Sequence, residues 1–130
     1  MFLNFIMQSI LMSNKISIGV DIEDISRFTY LVKDKSFLNK VFTKNELEYC
    51  LKKKNYSQHL AVRFAAKEAI IKAFSDFNKL LEFNEISITN DKDGKPIVKL
   101  KNQKDFNIKI SLSHNKNNAI AFVLILKIEY

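Results

Sequence analysis

Three features of this 130-residue sequence predict an α+β fold, with an antiparallel sheet packed on one long central helix. The first is the segment 57–74, SQHLAVRFAAKEAIIKAF, which is Ala-rich and free of Gly and Pro, so it favours an uninterrupted helix. The second is a series of alternating or apolar runs at 16–22, 85–89, 96–100, 108–113 and 119–126, each of strand length. The third is size: a chain this long with 47% hydrophobic residues supplies one compact core. No repeat or linker divides it.

The elements follow in chain order. In residues 1–15, Phe2, Leu3, Phe5, Ile6, Met7, Ile10, Leu11 and Met12 form an apolar run. No basic residue precedes it, no small-residue cleavage site follows it, and it is too short to span a bilayer. It is read as an extension outside the fold, with Met7 and Met12 as alternative initiators. Residues 16–130 are read as a single domain. In 16–22 the apolar positions are expected to lie in the core, leaving Asp21 near the strand end. A short helix is expected over 23–28 and a connector over 36–42. Thr43-Lys44-Asn45-Glu46 has capping-box spacing and opens a helix running to about Lys53. The central helix then starts at Ser57, a candidate N-cap, and fades near Phe77. Strands 85–89 and 96–100 flank the turn Asn90-Asp91-Lys92-Asp93-Gly94, a hairpin signal. Strand 108–113 runs through a polar turn at 114–118 into 119–126, which is expected to be a central strand.

The charge is +7, from 21 Lys+Arg against 14 Asp+Glu, and suggests an anionic partner. Cys50 is the only cysteine, so an intrachain disulfide or a Cys-based metal site is excluded. A single thiol fits a reducing compartment. With no run of transmembrane length, the protein is expected to be cytoplasmic and to have no membrane partner.

The central helix carries the informative charges. Arg63 and Lys67 are spaced i,i+4 on one side, and Glu68 and Lys72 on another. Such a pair ordinarily stabilises a helix by about 0.2–0.5 kcal/mol and does nothing more. Here, however, Ala61, Phe64, Ala65 and Ile71 surround Glu68, and a carboxylate among apolar side chains is costly unless a cation or metal meets it. Asp21 either caps the short helix after it or joins Glu68. His114 is either an ordinary turn residue or part of the same site. Two carboxylates with open coordination positions suit Mg²⁺, and a nearby lysine would neutralise a transferring phosphoryl group.

Four motifs occur in order: Ile18-Gly19-Val20-Asp21-Ile22; Arg63-Phe64-Ala65-Ala66-Lys67-Glu68-Ala69 with Lys72-Ala73-Phe74; Gly94-Lys95-Pro96; and Ser111-Leu112-Ser113-His114. Jointly they resemble the holo-acyl-carrier-protein synthases, the small bacterial class of 4′-phosphopantetheinyl transferases, over residues 15–127. The resemblance implies the 4′-phosphopantetheinyl transferase fold and a Mg²⁺-dependent reaction serving fatty acid and lipid biosynthesis. A serine hydroxyl of apo acyl carrier protein would attack the β-phosphate of coenzyme A, gaining phosphopantetheine and releasing 3′,5′-ADP. By the same resemblance, Asp21 and Glu68 would hold Mg²⁺ and Lys72 would stabilise phosphates or the leaving group. His114 would contact coenzyme A, Lys95 would help bind it, and Arg63 and Lys67 would help the anionic site or its protein partner. Arg27 would dock the carrier protein. A homotrimer with sites at its subunit junctions is implied, His114 reaching in from the neighbour.

Two departures stand out. Ser75-Asp76-Phe77-Asn78 lies where the family usually has glycines, and Ser17 replaces a common glycine. The alternative function is a small basic RNA-binding module, supported by the charge alone. The strands lack a run of aromatics for base stacking, so no nucleic-acid partner is expected.

Overall fold

The long helix sits against the sheet with almost nothing between their backbones. In the computed structural model, which describes residues 1–13 and 15–128, this helix is α5 (Tyr56–Ser75). Asn14 and residues 129–130, at the ends of the two segments read from the sequence, lie outside the described residues. Before α5 come α1 (Phe2–Ser13), β1 (Ile16–Asp24), α2 (Arg27–Leu31), α3 (Lys35–Val41) and α4 (Lys44–Cys50). After it come a 3-10 turn (Phe83–Glu85), β2 (Ile86–Asn90), β3 (Pro96–Leu100), β4 (Phe106–His114) and β5 (Asn118–Lys127). All pairings are antiparallel and divide into two sheets, β1-β5-β4 with β5 central, and the β2-β3 hairpin. Gly94 turns that hairpin at φ +85°, a conformation glycine adopts without strain.

Close approach decides the orientation of β1. A Cβ on Gly19 would stand 2.0 Å from the Ala69 carbonyl oxygen, so the strand lies directly on the α5 backbone. Only small side chains fit under such a contact, and the facing helix positions Ala65, Ala69 and Ala73 are buried alanines. Ser17, Gly19, Asp21 and Glu23 therefore form the inward set by the period-two alternation of a strand. This corrects the expectation that the apolar positions enter the core. Ile18 and Ile22 point outward and are 60% and 62% exposed, beside Phe122 of β5 at 45%. The core is built instead from α5 and the inward residues of β5 and β2. Ile70, Phe74, Ile86, Ile88, Val123 and Ile125 are buried together, with the Phe74 and Phe106 rings 4.8 Å apart. A second cluster around Phe28, Leu38, Leu60 and Phe64 seats the short helices.

Several local expectations change. The capping box forms, Thr43 accepting from the Glu46 amide at 3.3 Å and Glu46 from the Thr43 amide at 2.8 Å. The helix it opens ends at Cys50, three residues short of Lys53. The expected connector 36–42 is mostly helix α3, because Asp34 accepts from the Phe37 amide at 3.0 Å and Leu38 and Val41 are buried one turn apart. The helix expected over 23–28 starts only at Arg27, since β1 continues to Asp24. Asp21 is thus not a cap. Asn55, rather than Ser57, occupies the α5 N-cap position, with no side-chain bond.

The two departures from the family pattern meet. The Ser17 hydroxyl lies 2.6 Å from the Ala73 carbonyl and 2.9 Å from Asp76 Oδ2, so its one hydrogen is shared between them. Asn78 takes φ +56° in the turn that follows, a left-handed conformation that asparagine tolerates better than most residues. The N-terminal segment forms α1, about 18 Å long at 1.5 Å per residue, with Phe2, Leu3 and Phe5 exposed. Among the described residues, no helix is long and apolar enough to cross a membrane.

Candidate active site

Lys72 and Glu68 lie one turn apart on α5, over the inward face of β1. The Lys72 ammonium donates to Asp21 Oδ1 at 3.1 Å and to the Val20 carbonyl at 3.2 Å. Asp21 Oδ2 is buried with no hydrogen-bond partner. A buried carboxylate oxygen left unpaired is costly. Glu68 is half-buried, and its carboxyl is raised above the ordinary range by burial first and then by the charge of Asp21, while Lys72 acts oppositely. Glu23, two positions along the same strand face, is pushed up to about 7, by burial first, then by the Asp21 carboxylate beside it. Arg27 opposes that rise through a 2.8 Å ion pair with Glu23 Oε2. Negative charge is therefore crowded here, and one oxygen awaits a positive partner. Among the described residues, no three His, Cys, Asp or Glu side chains form a closed metal cage. Two neighbouring carboxylates are the donor set that a hard, partly hydrated cation uses when a phosphate completes its shell.

A basic hollow lies elsewhere on the chain. A cavity of about 420 Å³ is lined by Tyr49, Gln58, His59, Arg63, Asn90 and His114, among others. Arg63 is only 4% exposed; its guanidinium donates to Asn90 Oδ1 at 2.8 Å and to the His59 carbonyl at 3.3 Å. It also lies over the Tyr49 ring, 4.7 Å from its centroid, and its Nε is buried without a partner. His114 Nε2 is 2.9 Å from the Gln58 amide nitrogen. With that amide donating, Nε2 accepts and the ring proton sits on Nδ1. Burial, followed by Arg63, holds His59 below its ordinary value, so it adds little positive charge at neutral pH. A fixed guanidinium with a spare N–H suits an anion.

The expected site residues thus divide into two groups. Lys72 is nine positions after Arg63, half a revolution away at about 100° per residue. Asp21, Glu68 and Lys72 occupy one side of α5, while Arg63 and His114 border the cavity on another. Arg27 is on the surface at the start of α2, its side chain 54% exposed. Lys95 is exposed in the β2-β3 turn, between the cavity-lining residues Gly94 and Pro96. Lys67 belongs to neither group. Its ammonium is fully buried, ion-paired to Glu46 and donating to the Val41 and Phe83 carbonyls at 2.8 and 3.2 Å. Glu46 uses its other oxygen to accept from the Ile88 amide at 2.8 Å. The expectation that Lys67 helps an anionic site is therefore corrected: it joins α5, α4 and β2. Breaking such a pair from one side costs about 3–5 kcal/mol. Cys50 is buried too, its thiol pushed up to about 11, which leaves it a packing residue. Sequence reasoning passed over Glu23, Gln58 and Asn90. Only Glu23 carried a signal, standing two residues from Asp21 and so on the same strand face.

Comparison with known proteins gives this geometry its relatives. Residues 17–123 match the family model described as the 4′-phosphopantetheinyl transferase superfamily. The holo-[acyl-carrier-protein] synthase of Clostridium tetani is 40% identical, covering 85% of this chain and 94% of that protein. The enzyme of the same name from Thermodesulfovibrio yellowstonii is 45% identical over 83% of this chain and 96% of that one. Among solved structures, the holo-(acyl-carrier-protein) synthase of Bacillus anthracis, in complex with CoA (3′,5′-ADP), superposes with a TM-score of 0.74 at 30% identity. That match covers 85% of this chain and 96% of the other. The Helicobacter pylori synthase in complex with coenzyme A gives 0.72 at 31%, covering 83% and 98%. With one model spanning most of the chain and relatives matched nearly end to end, the chain belongs to the 4′-phosphopantetheinyl transferase superfamily, among its holo-[acyl-carrier-protein] synthases.

Proposed function

We infer that this protein transfers 4′-phosphopantetheine from coenzyme A to a serine of apo acyl carrier protein, for fatty acid and lipid biosynthesis. The serine oxygen forms a bond to the β-phosphorus, the bridging P–O bond breaks, 3′,5′-ADP leaves with the bridging oxygen, and the hydroxyl proton passes to solvent. The observation that carries the reading is the Asp21, Glu68 and Lys72 grouping, with its unpaired Asp21 oxygen. Asp21 and Glu68 would hold Mg²⁺, which supplies neutralisation of pyrophosphate charge. Lys72 offers a second positive group to the same phosphates, and its contact with Asp21 orients the carboxylate. Arg27 would meet the acidic helix of the carrier, its long-range attraction screened over about 8–10 Å at ordinary ionic strength. The positive charge that suggested RNA serves here to attract an acidic protein and a polyphosphate. A reducing cytoplasm fits the free thiol of Cys50.

The same reading takes the protein to be a homotrimer. The outward faces of β1 and β5 leave Ile18, Val20, Ile22 and Phe122 exposed, an apolar sheet surface that another copy would cover. Since Arg63 and His114 lie away from Asp21, Glu68 and Lys72 within one chain, a neighbour would bring the two groups together.

One assay tests the reading. The protein is incubated with coenzyme A, Mg²⁺ and apo carrier protein, and the carrier is followed by intact mass. One phosphopantetheine should be added, with chelator, Asp21→Ala or Glu68→Ala stopping the addition. No mass change with intact protein would overturn the function. Unimpaired transfer by either variant would overturn its ligand role. Co-refolding inactive Glu68→Ala and His114→Ala proteins should restore part of the activity. A trimer without recovery would put both residues in one subunit's site, and a protein that scatters light as a monomer would defeat the ring.

A further inference from the structure

We propose that Glu23 is a positioning residue for carrier-protein docking, holding the Arg27 guanidinium in place from behind. The proposal rests on the reading of Arg27 as the docking residue. Glu23 is the last inward-facing residue of β1 and is 8% exposed, walled in by the end of the sheet. Its Oε2 accepts from Arg27 Nη1 at 2.8 Å. Arg27 opens α2, a helix of only five residues whose N-cap residue, Ser26, makes no side-chain cap bond. Among the described residues, no other hydrogen bond or ion pair holds the long Arg27 side chain. The contact is asymmetric: the carboxylate is nearly buried, whereas the arginine side chain is 54% exposed.

That asymmetry assigns the roles. A surface ion pair between two mobile chains contributes little, because both must be immobilised. Here one partner is already fixed by the strand, so only the arginine has to be ordered. A guanidinium has five N–H donors in a planar fork. Glu23 takes one edge of it, and the remaining donors face solvent, where a carboxylate of an acidic partner can reach them. An arginine ordered in advance loses less freedom on binding, which raises affinity without a new contact. The opposite effect is equally definite. Glu23, when ionised, also places negative charge beneath the docking surface, and that charge alone would repel an acidic carrier. Positioning and charge therefore predict opposite signs for removal of the residue.

Two substitutions that remove the same charge separate these effects. Glu23→Gln keeps an oxygen that can accept from Arg27, whereas Glu23→Ala keeps none. Michaelis constants for apo carrier protein and for coenzyme A are measured for both, with Arg27→Ala and Glu23→Ala/Arg27→Ala alongside. The expected result is a rise of about three- to tenfold in the carrier constant for Glu23→Ala, with Glu23→Gln close to the unmodified protein. The constant for coenzyme A should stay level. In the Arg27→Ala background only the charge effect is left, so removing Glu23 should leave the carrier constant level or lower it, and never raise it. If Glu23→Gln and Glu23→Ala shift the carrier constant equally, charge and not position is at work and the proposal fails. If Glu23→Ala alters both constants alike, it acts through Asp21 and the proposal also fails. An Arg27→Ala protein with an unchanged carrier constant sinks the docking reading itself, an outcome distinct from either of these.

Discussion

Replacing Gly19 by alanine adds one methyl group where β1 lies directly on the α5 backbone. The added Cβ would stand 2.0 Å from the Ala69 carbonyl oxygen, 2.9 Å from its carbon and 3.2 Å from the Ala73 nitrogen. These are backbone atoms in the middle of a 20-residue helix, so no rotamer change relieves them. Strand and helix must separate by about 1 Å before the shortest distance reaches 3.0 Å, below which real Cβ contacts essentially never fall. Overpacking of this kind costs about 1–3 kcal/mol. Loss of glycine's freedom in the unfolded chain returns about 0.4–1 kcal/mol, leaving a net destabilisation centred on about 1.3 kcal/mol. For a domain of this size that lowers Tm by roughly 4–8 °C. The effect on catalysis should be larger. Glu68 immediately precedes Ala69, Lys72 immediately precedes Ala73, and Asp21 is the next inward residue after Gly19. A 1 Å separation opens the gap that these three groups share, and misplacement on that scale costs about a hundredfold in rate. Thermal unfolding and the mass-based transfer assay, both on Gly19→Ala, give the two readings, with the Michaelis constant for carrier protein as a control that should barely change. A variant with unaltered Tm and rate would show that the helix can slide away freely, and the argument that backbone contact orients the acids would be wrong.

Two further outcomes can be checked on the same protein. Ser17→Ala and Asp76→Ala should each destabilise by about 0.5–1.5 kcal/mol, and the double variant should lose less than the two together, because they remove one shared hydrogen bond; strict additivity in urea titrations would separate them. Glu23 has an ordinary value of 4.5 and is pushed up to about 7, so the folded state keeps a proton that the unfolded chain releases. Its contribution to stability is full below about pH 4.5 and is lost as pH rises through about 7. The urea midpoint of the unmodified protein should fall across that window relative to Glu23→Gln, and parallel curves would refute the shift.

The helix and the strands were legible because their signals are local. Alanine at 61, 65, 66, 69 and 73 without a glycine dictates a helix, and alternation dictates strands. Alternation does not say which face is inside. In β1 the more apolar face is outward, because Gly19 permits a contact that isoleucine would prevent, and that contact is made with residues fifty positions away. The short helix α3 escaped notice for a related reason. Its seven residues hold two buried side chains and one cap, too little periodicity to stand out from a connector. Lys67 shows the same limit in the site. Its spacing from Arg63 suggested a shared basic face, but Glu46 lies 21 residues earlier and nothing near Lys67 announces it. Ser17 and Asp76 looked like two unrelated departures from a glycine pattern until the fold put them within 2.9 Å.

The inward and outward faces of the three-stranded sheet bear on one question. Asp21 and Glu23 lie inward on β1, at one edge; His114 ends β4, at the other. Through the pairing of Glu23 with Ala119 and of Ala119 with His114, the two edges are two strand spacings apart, about 9.6 Å. Helix α5 lies across the gap, with Gln58 touching His114 and Lys72 touching Asp21. Within one chain, therefore, no side chain from the cavity joins the acids without crossing the helix. The outward face of the same sheet is the one left apolar by the orientation of β1. A second copy packed on that face would cover Ile18, Val20, Ile22 and Phe122. The glycine contact that turns isoleucine outward would then also create the surface that a second copy covers.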